Sequence, residues 1–226
     1  MRAIHVLRSL LAAAVLPLAS VSAPAAHAAL PIQVPCGESA LADAINTANA
    51  AGGGNLTLAA LCTYTLTSAH SSGGAGHPAG LPNITTAISM TGFLTQIARA
   101  PGAPAFRIFE VDGPSQVPGA NGRLSMTTVT VSGGDAGLGV GGGIANLGGT
   151  VTLNSSTVSG SKASYGGGLY TDGSLTLTGS TVTGNTASVA GGGVFTNAGT
   201  VTLTGSPVVG NTPANCGALP PVSAAC

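Results

Sequence analysis

Residues 166–185 read "GGGLYTDGSLTLTGSTVTGN", with three glycines, a Leu-Thr alternation and a closing Gly-Asn pair. Similar text stands upstream as "GGGIANLGGTVTLNSSTVSGS" (141–161) and downstream as "GGGVFTNAGTVTLTGSPVVGN" (191–211). A pattern that occurs three times at a nearly constant period indicates a repeated structural unit.

Three apolar columns and one glycine column hold through four repeats. The first column is spaced by 27, 24 and 26 residues and consists of Leu124, Val151, Leu175 and Val201. The other columns are Met126, Leu153, Leu177 and Leu203; Val131, Val158, Val182 and Val208; and Gly133, Gly160, Gly184 and Gly210. Within each unit the apolar residues alternate with Thr or Ser, which predicts strands with one buried face.

Glycines mark the corners of the predicted coil. The first and third apolar columns are seven residues apart. On a continuous strand, residues an odd number apart face opposite sides, so a bend must lie between the two columns for both to face the core. Gly179 and Gly205 stand at that position. The GGG runs make another corner, because glycine adopts positive φ without steric cost. Units of about 25 residues that stack on each other predict an all-β solenoid, a single-stranded parallel β-helix. The LxxLxL frame of leucine-rich repeats and the aspartates of calcium-binding nonapeptide repeats are missing.

Asparagines follow the glycine column at Asn185 and Asn211. An asparagine side chain bonds backbone groups inside a turn, so both residues are predicted to cap a corner. Stacked asparagines are expected to form a ladder, which Ser161 interrupts.

The N-terminal residues predict an export signal over residues 1–28. Arg2 and Arg8 precede an apolar run from Leu10 to Leu18, and Ala26-His27-Ala28 fits an A-x-A cleavage site. The run is too short to span a bilayer. We therefore expect a secreted, extracellular protein without stable membrane insertion after cleavage.

The remaining residues, 29–226, are predicted to form one β-helix domain. Its predicted parts are an N-terminal cap helix (36–54), irregular coils (55–122), regular repeats (123–212) and a C-terminal cap (213–226). In the cap helix, apolar residues at helical spacing are Leu41, Ala44, Ile45 and Ala48. Ser39 is its expected N-cap, and Gly52 to Gly54 are expected to end it.

The composition excludes several classes of function. Hydrophobic residues make up 44% of the chain and the mean hydropathy is +0.46, which indicates an ordered protein rather than a disordered one. After cleavage the chain has four positive and six negative side chains, a net charge of −2. No basic patch is available to neutralise phosphates, so we expect no nucleic-acid partner.

Four cysteines remain after cleavage: Cys36, Cys62, Cys216 and Cys226. An even number in a secreted chain favours disulfides, for which three connectivities are possible. We predict the sequence-local pairs Cys36–Cys62 and Cys216–Cys226, which bracket the two ends of the domain. No CxxC or His–Cys spacing supports a metal site, and we expect no metal and no cofactor.

The repeats resemble those of the secreted right-handed parallel β-helix proteins of bacteria, a pectate-lyase-like superfamily. They are also similar to the repeats of chlamydial polymorphic outer-membrane proteins, with Val182 or Val208 in place of the phenylalanine. The segment "CGESALADAINTAN" is similar to the Cys-Ser-Leu-Arg-Glu-Ala-Ile module that precedes such helices, from which Gly37, Glu38 and Ser39 depart. The resemblance implies a right-handed helix; because the superfamily holds lyases, hydrolases and adhesins, it does not decide an activity.

One charged cluster could carry catalysis, Arg107, Glu110 and Asp112 in "FRIFEVD". On a strand, Glu110 and Asp112 face the same side about 6.5–7 Å apart. Arg107, an odd number of residues away, would face the opposite side of a regular strand, so a bulge is needed to bring it to the two carboxyl groups. The alternative is a solvated strand end with a local ion pair, and we favour it over a catalytic role.

The outward strand residues form the candidate binding surface. These residues are Thr152, Thr176, Thr178, Thr202 and Thr204, a hydroxyl array that repeats about every 4.8 Å between coils. Ice-binding β-helices use Thr-x-Thr arrays, but threonine is also a common exposed strand residue. Sugar stacking is not favoured, because the chain has no Trp and only three tyrosines. Tyr165 is expected to be an isolated side chain at a corner between coils, and weak glycan contact through hydroxyls and backbone groups stays open.

The sequence favours a non-enzymatic, monomeric β-helix that acts extracellularly or at the cell surface by adhesion or glycan contact. Its expected partner is an extracellular polysaccharide or a cell-surface glycan. The alternatives are a polysaccharide lyase or glycoside hydrolase that uses the Glu110–Asp112 region, and ice or crystal binding by the threonine array.

Overall fold

The structure is a computed structural model that describes residues 30–73, 77–220 and 226. Its strands pair in parallel from one coil to the next, so the chain forms a parallel β-helix with a short helix at its N-terminal end, as predicted. The predicted export signal, residues 1–28, lies outside the described residues. The predicted domain boundaries stay a prediction.

The described part of the chain contains one helix and eighteen strands. In chain order they are β1 (Ile32–Val34), α1 (Glu38–Ala50), β2 (Gly53–Leu58), β3 (Thr63–Leu66), β4 (Ala87–Arg99), β5 (Phe109–Asp112), β6 (Arg123–Ser132), β7 (Ile144–Leu147), β8 (Thr150–Asn154), β9 (Thr157–Ser159), β10 (Lys162–Tyr165), β11 (Leu169–Thr171), β12 (Ser174–Thr178), β13 (Thr181–Thr183), β14 (Thr186–Ala190), β15 (Val194–Thr196), β16 (Thr200–Thr204), β17 (Val208–Val209) and β18 (Cys216–Ala218).

The strands form three walls around one apolar core. The first wall contains β1, β2, the first halves of β4 and β6, and then β8, β12 and β16. The second wall contains β3, the second halves of β4 and β6, and then β9, β13 and β17. The third wall contains β5, β7, β11, β15 and β18. The pair β10–β14 lies in the chain between the second and third walls.

The pairing register confirms the predicted columns. Leu124 pairs with Val151, which pairs with Leu175, which in turn pairs with Val201. The first three of these residues are buried in the core, and Val201, in the last coil, is partly buried. Burial of each Leu or Val stabilises the fold by roughly 1.5–3 kcal/mol, so the columns contribute strongly to the stability of the regular coils.

A left-handed residue makes the corner between the first and second walls in every coil. We call it the first corner. Its φ values lie between 48° and 56°, and its residues are Leu61, Leu94, Thr128, Ser155, Gly179 and Gly205. The bend predicted at Gly179 and Gly205 is therefore confirmed. It resets the strand alternation, so that the strands on both sides of it direct their apolar residues into the core.

Helix α1 covers the N-terminal end of the core with the predicted apolar face, since Leu41, Ala44, Ile45 and Ala48 are buried. The prediction of Ser39 as N-cap was wrong. The helix begins at Glu38 after Gly37, which has a φ of 155°, and no side chain caps it. Gly37 can adopt this positive φ because it lacks a Cβ.

Both predicted disulfides are present, Cys36–Cys62 and Cys216–Cys226. The first joins the segment before α1 to the start of the second wall, and the second joins β18 to residue 226. Disulfides of this kind persist in oxidising environments.

The predicted asparagine ladder is also present. Asn185 donates through Nδ2 to Oδ1 of Asn211 over 3.0 Å, and Oδ1 of Asn185 accepts the backbone N–H of Ser161 over 3.0 Å. Asn185 and Asn211 are buried, so these bonds satisfy backbone groups of the corners that water cannot reach.

Candidate functional site

The structure brings the predicted cluster of Arg107, Glu110 and Asp112 together. Nη1 of Arg107 lies 3.0 Å from Oε2 of Glu110. Asn83, from the preceding coil, donates through Nδ2 to Oε1 of Glu110 and to Oδ2 of Asp112, each over 2.8 Å. Three buried side chains and the partly buried Asn83 therefore form one polar cluster on the outer side of β5, which we call the buried polar cluster.

Arg107 reaches Glu110 because the alternation breaks at a corner. Ile108 and Phe109 are adjacent in the sequence and both belong to the core. In a regular strand, successive backbone N–H groups point to opposite neighbouring strands, but Ile108 and Phe109 both donate to the following coil, to the carbonyls of Gly142 and Gly143. This break in the alternation places Arg107 and Glu110 on the same side of the chain.

The buried polar cluster is closed to solvent. Arg107 and Glu110 are 0% exposed and Asp112 is 1% exposed. Gly73 lies over Glu110, since a Cβ on Gly73 would be 3.1 Å from Oε2. The favoured interpretation of a solvated strand end is therefore wrong, because the preceding segment of chain covers the strand.

Burial determines the electrostatics of the cluster. It lowers the pKa of Arg107, and the negative charges of Glu110 and Asp112 oppose part of that shift. A guanidinium keeps its proton in proteins, so Arg107 stays positive. Nε and Nη2 of Arg107 have no hydrogen-bond partner within the described ranges. A polymeric substrate cannot touch any of these atoms without displacing the covering segment.

The threonine array is in register. Thr152, Thr176 and Thr202 pair directly across three coils, and Thr178 pairs with Thr204. Thr202 and Thr204 are exposed, whereas Thr152 and Thr176 are partly exposed. On the same wall, a shallow depression of about 280 Å³ extends from β2 to β8, and Thr152 of the array lines it together with Ser89 and Arg123 among others. Ice or crystal binding by this array stays a prediction.

A second concave surface was missed by the sequence analysis. Phe195 contacts Tyr165, with 4.9 Å between ring centroids, and stacks on Tyr170 at 6.0 Å with 9° between the rings. An open groove of about 250 Å³ runs beside them. This aromatic groove is lined by Val140, Tyr165, Tyr170, Phe195, Asn197 and Leu219.

The sequence did contain a signal for this groove. Tyr170 and Phe195 both stand second after a GGG run, and the structure pairs them across β11 and β15. The expectation that Tyr165 is isolated was wrong, because the corner after β10 turns its ring onto Phe195. Phe195 is the buried floor at 2% exposure, and the two tyrosines are half-buried around it.

Asp172 and Asn197 add polar groups near the aromatic rings. Burial raises the pKa of Tyr170, the charge of Asp172 raises it further, and Asn197 opposes part of the rise. Burial also raises the pKa of Asp172, whose Oδ1 accepts the backbone N–H of Gly148. The groove thus combines apolar ring faces with an amide and two phenol hydroxyls, and the carboxyl of Asp172 lies close enough to influence Tyr170 without lining the groove.

Glu38 forms a separate polar site at the N-terminal end. Its Oε2 accepts bonds from the backbone and hydroxyl of Thr67, and its Oε1 accepts them from Ser68 and lies 3.1 Å from Nε2 of His70. Burial raises the pKa of Glu38, but the hydrogen bonds together outweigh it and lower the pKa to about 2. This carboxylate joins helix α1 to the segment that follows β3.

Within residues 30–73 and 77–220, no group of three or more His, Cys, Asp or Glu side chains is placed to hold a metal ion. In the same part of the chain, no helix is long and apolar enough to cross a membrane. No family model, curated protein or solved structure matches this chain. The fold defines the class of the protein, a parallel β-helix, and its function depends on the surfaces that the coils present.

Proposed function

We propose that this protein is a secreted, non-enzymatic β-helix that binds a neutral polysaccharide through the aromatic groove. The observation that carries the proposal is the clustering of Tyr165, Tyr170 and Phe195, three of the seven aromatic residues of the chain, around one open groove. Ligand sites are typically concave surfaces lined by apolar and aromatic side chains with a few polar groups that fix orientation.

The chemistry of the groove favours a sugar. The apolar faces of saccharide rings pack on aromatic rings, and their hydroxyls need partners that both donate and accept. Asn197 and the two tyrosine hydroxyls can do both. A groove open to solvent also suits one stretch of a long polymer better than a small molecule, which proteins usually enclose.

The charge distribution favours a neutral ligand. No Asp, Glu, Lys, Arg or His occurs between residues 173 and 226. The basic residue nearest to the groove in the sequence is Lys162, and a single lysine cannot neutralise a polymer of uronates or sulfates. Asp172 next to Tyr170 would repel such a polymer.

The secreted location rests on two features. The predicted export signal is one, and the two disulfides, which form in oxidising compartments, are the other. A lyase or hydrolase that uses Glu110 and Asp112 receives less support, because both carboxyl groups are buried under the preceding segment.

The test is affinity electrophoresis of the disulfide-bonded protein in gels that contain a neutral glucan, xylan, mannan or polygalacturonate. We expect at least one neutral polymer to retard the protein. Tyr170→Ala should weaken that binding about tenfold, which corresponds to about 1.4 kcal/mol. Phe93→Ala, which removes an exposed aromatic ring far from the groove in the chain, is the matched control and should bind like the wild type.

Two outcomes would overturn the proposal. One is equal retardation of the wild type and Tyr170→Ala by every polymer, or no retardation at all. The other is the release of new reducing ends or unsaturated products by the wild type but not by Glu110→Gln, which would establish an enzyme.

A further inference from the structure

The first corner is apolar and prominent in the first two coils. There it carries Leu61, Phe93 and Leu94, with 75%, 65% and 69% of their surfaces exposed. The backbone N–H of Leu61 donates to the carbonyl of Phe93 over 3.0 Å, so the residues of the two coils are neighbours. We call these three residues the apolar corner.

Leu61 and Leu94 occupy positions that disfavour a side chain. Their φ values are 55° and 50°, in the left-handed region, and the last two coils have glycine at the same position, Gly179 and Gly205. An exposed leucine gains nothing from the core at such a site. A residue held in a disfavoured conformation points to a role at that site.

Phe93 belongs to an insertion. Thr91 pairs with Thr127 and Thr95 pairs with Val129, so three residues of β4 stand opposite one residue of β6. The insertion lengthens the turn by two residues and carries the phenylalanine outward.

Hydrogen bonds from two threonine hydroxyls fix the backbone conformation of the apolar corner. Thr95 is 2% exposed, its hydroxyl donates to the carbonyl of Ala59 over 2.9 Å, and it accepts the backbone N–H of Phe93 over 3.1 Å. The hydroxyl of Thr128 donates to the carbonyl of Gly92 from the next coil. A surface that is ordered before binding loses little conformational entropy on binding.

The exposed area of the apolar corner and the absence of charge around it favour a lipid surface over a protein as its partner. Three side chains expose a few hundred Å², well below the roughly 800 Å² per partner of a stable protein interface. A lipid phase needs no such complementary surface, because it adapts to a protruding apolar group. No Asp, Glu, Lys, Arg or His occurs in residues 59–66 or 87–98, so insertion of the corner desolvates no charged side chain of these strands.

We propose that the apolar corner inserts into the interfacial region of a lipid bilayer and holds the protein on a membrane surface peripherally and reversibly. Because no charged group takes part, zwitterionic lipid is sufficient and the association does not depend on salt. This proposal is independent of the aromatic groove and does not rest on polysaccharide binding.

The test is sedimentation of the full protein with phosphatidylcholine vesicles at millimolar lipid. We expect binding that is the same at ~0.1 and ~1 M NaCl. The triple variant Leu61→Ser, Phe93→Ser and Leu94→Ser should bind roughly tenfold more weakly, because it removes the apolar area that drives partition. Leu138→Ser is the control, since it removes another leucine, 87% exposed, from a distant loop and should bind like the wild type.

A second readout does not depend on the folding of the triple variant. The chain has no Trp, so Phe93→Trp places a single tryptophan, which can be excited selectively over the tyrosines, in the apolar corner. Its emission should shift to the blue when vesicles are added, whereas that of Leu138→Trp should not.

Three outcomes would overturn the proposal. They are the absence of wild-type binding and of a Phe93→Trp shift, binding that requires anionic lipid at low salt, and a dimer in light scattering that the triple variant dissociates. The last would identify a second copy of this chain as the occupant.

Discussion

The first two coils and the last two coils form the same left-handed turn at the first corner, but with different residues. At the first corner, the last two coils use Gly179 and Gly205, whereas the first two use Leu61 and Leu94 at closely similar φ. The early coils also have longer turns at this corner, as the two-residue insertion around Phe93 shows. The late coils are thus built for regular stacking, and the early coils accept backbone strain to display side chains.

Charge separates the two regions in the same way. The buried polar cluster belongs to the early coils, and after Asp172 no side chain is charged up to residue 226. The late coils satisfy their buried backbone groups with hydroxyls and amides, of which the asparagine ladder is the main example. A solenoid can therefore keep one stacking geometry while its coils differ in electrostatic character.

The greatest loss of stability is expected from Arg107→Met, which removes the basic side chain of the buried polar cluster. The substitution leaves the carboxylates of Glu110 and Asp112 buried beside no positive charge. Removal of one partner from a buried ion pair typically costs about 3–5 kcal/mol, so urea unfolding should show a loss of this size.

Arg123→Met is the matched control for Arg107→Met, since Arg123 is exposed. It should change the free energy of unfolding by less than about 0.5 kcal/mol. A loss below about 1 kcal/mol for Arg107→Met would mean that the buried charges are not interdependent.

Substitutions at the first corner should change the free energy of unfolding less than Arg107→Met does. Gly179→Ala places a side chain at a φ of 56° with only the Ser155 hydroxyl nearby, so backbone strain alone should lower the free energy of unfolding by about 1 kcal/mol. Leu94→Gly should relieve the same strain and leave the stability unchanged or higher. Thermal unfolding of both variants measures the difference, and equal destabilisation by the two would contradict this account of the corner.

The smallest expected effect is a pH dependence at the N-terminal end. The pKa of Glu38 is lowered from its ordinary 4.5 to about 2, so the folded state binds this proton more weakly than the unfolded state. The contribution to stability is therefore complete above pH 4.5 and is lost as the pH falls towards 2. Urea unfolding between pH 2 and pH 6 should show a shallower pH dependence in Glu38→Gln than in the wild type.

Asp43→Asn is the control for Glu38→Gln, because it changes an exposed carboxyl of the same helix. It measures the effect of removing one negative charge from this helix, so the difference between the two variants isolates the contribution of the hydrogen bonds to Glu38. A profile of Glu38→Gln that also matches the wild type would show that the bonds to Thr67 and Ser68 do not contribute to stability.

Local periodic features were predictable from the sequence. The columns through Leu124 and Val131, the bend at Gly179, the asparagine ladder and both disulfides all follow from residues that recur at the period of one coil or lie close in the chain. Each of these features depends on the alternation of residues along a strand, on residues that favour turns, or on proximity in the chain, and all three can be read from the sequence.

The features that escaped prediction depend on irregular geometry. Arg107 joins Glu110 only because a corner falls between Ile108 and Phe109, and no glycine or proline marks that position. The buried polar cluster is covered by the segment around Gly73, which lies outside the regular repeats, so no periodic pattern predicts its position. Tyr165 contacts Phe195 of the adjacent coil across a corner, and the alternation within a single strand does not predict such a contact. Ser39 was preferred as N-cap because a hydroxyl usually holds that position, whereas here Gly37 starts the helix.

The offset of 24 to 27 residues between paired strands of the regular coils has a consequence for how the molecule is made. Each new coil needs only the coil before it as a template, and helix α1 with the first coil is available before the rest of the chain has been synthesised. Growth can proceed from that end one turn at a time, without waiting for distant segments. The order of synthesis and the order of assembly then coincide, which shortens the time for which any unpaired strand edge is open to a wrong partner.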